Sequence, residues 1–213
     1  MIRRITTLTQ RYQGEEMISS DADYGLEIPY KEGRRLTNLA YETNRREILE
    51  FVEEVDLSSL FGFQIPENWF GCDPSVFEQN VIPLKITHAP GNHILVKCKE
   101  NPKLDMPDWL LRDNDRVCLE FSSGDMISRG NNLPAGISLH KLKACTELKL
   151  EWFLSDVLHR TTGPAMVTVR KSKEAVPNPV SLFLMYDVEG QRKHRDEFAR
   201  WYEMVYCEEY KGL

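Results

Sequence analysis

Ile82-Pro83-Leu84-Lys85-Ile86-Thr87-His88-Ala89-Pro90-Gly91-Asn92-His93-Ile94-Leu95-Val96-Lys97-Cys98 decides the fold class. Ile82, Leu84 and Ile86 alternate with polar positions, Pro90-Gly91 turns the chain, and Ile94, Val96 and Cys98 alternate again. That is the period of a half-buried strand, not of a helix. A two-residue loop would set Leu84 against Lys97 and put a lysine on the apolar face. A loop of three or five residues pairs Ile86 with Ile94, Leu84 with Val96 and Ile82 with Cys98, so the longer loop is predicted. His88 and His93 then point to opposite faces and make no metal pair.

Working outward, Val117, Leu119 and Phe121 alternate, as do Leu148, Leu150, Trp152 and Leu154, and Ala165, Val167 and Val169 follow Gly163-Pro164. Ile137 and Leu139 fall out of phase with Leu142 and Ala144, which predicts a bulge near His140 or Lys141. Val180 to Val188 is apolar at nearly every position, the signature of a central strand covered on both faces. Connections too short for crossover helices make the sheet mostly antiparallel. On the N-terminal side, Ile48, Phe51, Val52 and Val55 recur at helical spacing, with Asn44 and Glu47 as a start signal. Asp73-Pro74 reads as an N-cap before a short helix from Pro74 to Gln79, and the aromatic stretch Phe61 to Gly71 as a plug in the core. On the C-terminal side, Phe198, Trp201, Tyr202, Val205 and Tyr206 form one helical stripe. The predicted class is α+β and β-rich: a mostly antiparallel sandwich or jelly-roll-like core with an N-terminal helical lead-in and a C-terminal docked helix. Residues 1–35 read as an arm, and 36–213 as a single β-rich domain. No internal repeat of fixed period is visible.

The 213 residues, 41% hydrophobic and 28% charged, have the composition of an ordinary globular protein. No apolar stretch approaches the roughly 20 residues that cross a bilayer, and Met1-Ile2-Arg3-Arg4 opens no secretory signal, so a cytoplasmic setting is expected. The five cysteines, Cys72, Cys98, Cys118, Cys145 and Cys207, are spread out and read as reduced thiols. A net charge of −6 confines any polyanion contact to a local patch.

Three groups of residues suggest chemistry. His140 lies near Cys145, and His159 or His194 could equally serve as its base, as a thiol hydrolase would require. Asp105, Asp108, Asp113, Asp115 and Glu120 are grouped as a metal-dependent phosphodiesterase would need, although Asp113-Asn114-Asp115 reads more simply as a turn. Arg192-Lys193-His194-Arg195 precedes or opens the last helix, where cations cost roughly 0.3–1 kcal/mol each against the macrodipole. With Lys171 and Lys173, and with Arg3, Arg4, Arg34 and Arg35 if the termini meet, they would make a basic patch. Trp69 and Phe70, and Trp201, Tyr202, Tyr206 and Tyr210, read as packing groups that could also anchor a partner. Dinucleotide, phosphate-loop, nucleophile-elbow and His-Glu-x-x-His signatures are missing.

The expectation is a non-enzymatic binding or assembly protein, with no catalytic set, metal or cofactor assigned. Arg192, Lys193, Arg195, Lys171 and Lys173 are its candidate contacts to nucleic acid or an anionic partner, and self-association or a protein partner is the companion expectation. In outline, a sheet core with basic ends is loosely similar to small viral coat, matrix or movement proteins. That similarity implies self-association and contact with nucleic acid or another viral component.

Overall fold

A computed structural model of the chain describes residues 8–22, 28–56, 66–89, 93–177 and 179–193. Its strands are β1 (Leu8–Gln13), β2 (Glu16–Ala22), β3 (Pro83–Ala89), β4 (His93–Cys98), β5 (Trp109–Arg112), β6 (Arg116–Glu120), β9 (Gly136–Lys141), β10 (Cys145–Glu151), β13 (Met166–Ser172), β14 (Val180–Val188) and β15 (Gln191–Lys193). All eleven join in one antiparallel sheet in the order β15-β14-β13-β10-β9-β6-β5-β4-β3-β1-β2. The β-rich α+β class therefore holds. The described strands make one meandering sheet and do not show the two sheets of a sandwich: apart from β2 and β3, consecutive strands lie side by side, whether they are joined by tight turns or by the longer loops after β4, β6 and β10.

The alternation that predicted strands also builds the core. Ile86, Val96, Leu110, Leu119, Ile137, Leu150 and Val167 stand in one row across seven strands, and all are buried. Helix α1 (Tyr30–Glu54) covers that face through Leu36, Ala40, Tyr41, Ile48 and Phe51, which recur at helical spacing. In the β3–β4 hairpin, Ile86 faces Val96 and His88 faces Ile94, two residues away from the predicted register; Ile86, Ile94, Val96 and Cys98 are buried as expected, but an irregularity between Pro83 and Lys85 puts the buried Pro83 opposite Cys98 and leaves Ile82 and Leu84 half-buried. His93 faces Ala89, so the two histidines do lie on opposite faces.

Four expectations are corrected. Within the stretch read as an arm, Leu8–Gln13 and Glu16–Ala22 are strands and Tyr30 opens α1: Leu8, Gln10 and Tyr12 are buried, and the single proton of the Tyr12 hydroxyl lies between Gln10 Oε1 and the Ile28 carbonyl, each 2.6 Å from the hydroxyl oxygen. Helix α1 begins at Tyr30, not at Asn44, which is fully buried in mid-helix. Strands β9 and β10 pair without a bulge, and the change of phase comes from the turn between them, where Leu142 is exposed. β14 lies next to last in the sheet, not at its centre, with Ser181, Leu182 and Phe183 exposed. The N-cap is as predicted: Asp73 Oδ1 accepts from the Ser75 amide at 2.8 Å and opens α2 (Pro74–Asn80). Trp69 and Phe70 are buried as the plug required, while residues 57–65 and the predicted C-terminal helix lie outside the described residues.

A repeated device was invisible to periodicity. After β6 comes the small hairpin β7 (Ser122–Ser123) and β8 (Met126–Ile127), and after β10 the hairpin β11 (Phe153–Leu154) and β12 (Val157–Leu158). Each hairpin leads into an arginine that lies over the aromatic preceding it: Arg129 over Phe121 at 3.6 Å and Arg160 over Trp152 at 4.0 Å. Burial brings Arg160 down to about 10. The two hairpins are joined by reciprocal bonds, the Ile127 amide donating to Asp156 Oδ1 and the Asp156 amide to the Ile127 carbonyl, and the second hairpin is held to the β14–β15 turn by the Gly190 amide donating to the Leu158 carbonyl.

Candidate interaction edge

β14 forms because β13 gives it a long partner. Met166–Ser172 reads MVTVRKS and Val180–Val188 reads VSLFLMYDV, both rich in the branched and aromatic side chains that suit a pleated surface. Their register runs from Met166 opposite Met185 to Lys171 opposite Val180. On the other side β15 covers only Tyr186 to Val188. Among the described residues, nothing pairs with the outer edge of β14 from Val180 to Leu184. There Phe183 is 55% and Leu182 37% exposed, while Val180 and Leu184 pack partly against the core. No charged residue occurs from Val180 to Tyr186.

The predicted basic patch is not brought together. Lys171 is engaged by Glu54 at the end of α1, and Lys173 Nζ donates to the Leu142 carbonyl at 2.6 Å. Arg192 stands opposite Asp187, at the far end of β14 from Val180 and Lys171, roughly 23 Å away along the strand. Lys193 is beside it opposite Tyr186, and Arg195 lies outside the described residues.

The enzyme sets are also dispersed. His140 sits directly across from Glu147, which leaves Cys145 one diagonal step away, roughly 7–8 Å between backbones, and no hydrogen bond joins the imidazole to the thiol. Burial lowers the His140 pKa. Asp105 is spent on Arg129, and Asp113 Oδ1 accepts from the Asp115 amide at 2.9 Å, the turn chemistry the sequence suggested. Only Asp108 and Glu120 come together. Asp108, 4% exposed, accepts from the Ser122 hydroxyl through Oδ2, its Oδ1 has no partner, and its amide donates to the Glu120 carbonyl at 3.0 Å. Burial raises both carboxyl pKa values, and the neighbouring Asp108 and Glu151 carboxylates push Glu120 further. Among the described residues no three His, Cys, Asp or Glu side chains are arranged to hold a metal, and no helix is long and apolar enough to cross a membrane.

An Asp whose folded pKa lies above its unfolded value contributes stability that is complete below the unfolded pKa and is lost as pH rises through the folded one. Asp108→Asn is therefore expected to raise stability at pH 7 by about 1 kcal/mol and to make no gain near pH 4. Thermal melts of the two proteins across that range check it, and an equal gain at both pH values would show that the effect does not come from the buried charge.

Compared with known protein families, with curated proteins and with solved structures, the chain finds no match.

Proposed function

We propose that this chain is a non-enzymatic binding and assembly protein, and that it takes up another protein chain as an added strand along the outer half of β14. The observation that carries this reading is a mismatch between composition and position. Val180 to Met185 has the sequence of a strand enclosed by neighbours, yet among the described residues nothing pairs with its outer edge from Val180 to Leu184, and Phe183 and Leu182 are exposed. Exposed edges normally carry lysines, prolines, bulges or inward charges that prevent such pairing. Apart from Pro179 at its entrance, this one has none. Strand addition supplies main-chain hydrogen bonds along an extended, uncharged segment. That chemistry suits a polypeptide better than a nucleic acid, whose recognition needs clustered cations. A coat-, matrix- or movement-type role in the cytoplasm is the setting this reading fits, in line with the similarity noted above.

The test uses a labelled peptide with the sequence Pro179 to Tyr186 and the full chain. The bond from the Ser172 amide to the Pro179 carbonyl directs the backbone groups of alternate residues toward β13, so the Leu182 N–H points outward. Leu182→Pro therefore removes no bond to β13 but blocks an added strand. Fluorescence anisotropy is expected to show saturable binding to the wild type and binding about tenfold weaker to Leu182→Pro, one or two lost backbone bonds. Phe183→Lys, which changes only a side chain, is the second variant, and both are expected to keep the wild-type circular dichroism. Equal affinity for all three proteins, or no binding to any, overturns the reading.

A further inference from the structure

We propose that the strand received by β14 is β14 of a second copy of this chain, the two related by a twofold axis through Leu182; this rests on the strand-addition reading above. The register follows from which backbone groups are unpaired. With the Ser172 amide on the Pro179 carbonyl at 2.7 Å, residues 179, 181 and 183 turn toward β13, and Val180, Leu182 and Leu184 turn to the open edge. The window is closed at both ends. Pro179 has no N–H to give, and Tyr186 already faces Lys193 of β15. Three residues are left, each with one N–H and one C=O pointing outward.

A twofold centred on Leu182 satisfies all of them. Leu182 exchanges both bonds with Leu182 of the partner subunit, Val180 with the partner subunit's Leu184, and Leu184 with the partner subunit's Val180. Sliding the pair by two residues runs it into Tyr186 or past Pro179 and breaks part of the ladder, while sliding it by one sets outward groups against inward ones. The side chains agree with this register. Leu182 lies in the row of Val169, Leu148 and Leu139 on the α1 face, so the buried row continues across the axis into Leu182 of the partner subunit. On the other face the exposed Phe183 ring comes opposite the partner subunit's Ser181, large against small. Because Val180 to Tyr186 is uncharged, no like charges meet, as a self-complementary contact requires.

Two measurements on the full chain test this. Sedimentation over about 1 to 100 µM, a span suited to a weak dimer, is expected to show a concentration-dependent shift to twice the monomer mass, lost in Leu182→Pro. Under mild oxidation Leu182→Cys is expected to form a covalent dimer, because directly opposed residues have Cα atoms about 5.5 Å apart, within the disulfide range. Phe183→Cys, offset from its own copy by two residues, is expected to give no more dimer than the wild type, whose native cysteines set the background. A chain that binds the β14 peptide yet remains a monomer throughout overturns the second-copy assignment and leaves strand addition standing. A dimer that cross-links at 183 in preference to 182 overturns the register, and a chain that neither binds the peptide nor dimerises overturns both proposals.

Discussion

Arg129→Ala is expected to lower folding stability by about 3–4 kcal/mol, the sum of an emptied site, a lost stack and carbonyls left without donors. The Arg129 side chain is only 4% exposed. Its Nε and Nη2 hold Asp105 at 2.7 and 2.5 Å, Nη1 donates to the Trp69 and Pro134 carbonyls at 2.6 and 2.7 Å, and Nη2 reaches the Asn68 carbonyl at 3.0 Å. One guanidinium therefore ties the 3-10 turn Glu67–Phe70, which carries the buried Trp69 and Phe70, to the loop after β8. Asp105 contributes less than the geometry suggests, since it is 40% exposed and can be rehydrated once the arginine is gone. Most of the loss comes from the three carbonyls and the Phe121 ring. Arg129→Lys keeps the charge but cannot reproduce the planar fork, so it is expected to recover less than half of the loss. Urea titration followed by tryptophan fluorescence measures both, and a loss under about 1 kcal/mol for the alanine variant would show that the turn is held in place without it.

How much of this was legible in the residues depended on whether hydrophobicity reported burial. In β4 and the turn end of β3 it did: Ile86, Ile94, Val96 and Cys98 are buried even though the hairpin register differs by two residues, because a shift of two preserves the pleat, whereas an irregularity at Leu84 buries Pro83 in place of its apolar neighbours. In β1 it did not. Gln10 is fully buried, bonded to Tyr12 and to the Met17 sulfur, so the inward positions Leu8, Gln10 and Tyr12 read as apolar, polar, aromatic and no strand period emerged. The hairpin device escaped for another reason. Phe121 with Arg129 and Trp152 with Arg160 share one spacing, but the loops that follow, Gly130 to Ala135 and Thr161 to Ala165, differ in length, which destroys a fixed period. The basic candidates were grouped because they crowd together in sequence or suggested a loop, and strand length then separates Lys171 from Arg192. β14 is the instructive failure. Its apolar run implies two buried faces on sequence alone, and the structure puts that run next to last in the sheet, where among the described residues the edge from Val180 to Leu184 is unpaired. Composition and position agree again if the missing neighbour is another molecule.

Asn44→Ala is expected to cost about 2–3 kcal/mol, the second-largest single loss, although the sequence presents Asn44 only as a helix start. In mid-helix Asn is a poor choice on propensity alone, so its presence there needs a tertiary cause. The structure supplies one. The Asn44 amide donates to the Leu111 carbonyl of β5 at 2.9 Å and to the Cys118 carbonyl of β6 at 3.2 Å, while its oxygen accepts from Arg112 Nη1 at 3.3 Å. Arg112 in turn holds Glu47 at 2.7 Å, and Glu47 holds Lys141 at 2.8 Å, a chain of contacts that fixes α1 on three strands and keeps the Glu47 carboxyl below its ordinary pKa despite partial burial. Asn44→Asp separates the hydrogen bond from the packing. Its carboxylate would face two carbonyl oxygens, which favours the protonated form and raises the folded pKa above the unfolded one. The sign follows directly: the penalty is greatest at pH 7 and is relieved as pH falls below about 4, where the neutral acid can donate to one carbonyl. At pH 7 Asn44→Asp should therefore be less stable than Asn44→Ala, and the gap should close by about 1 kcal/mol or more at pH 4. Parallel urea titrations at the two pH values decide this, and a gap that does not change with pH would mean that the Arg112 guanidinium, rather than the two strand carbonyls, governs this site.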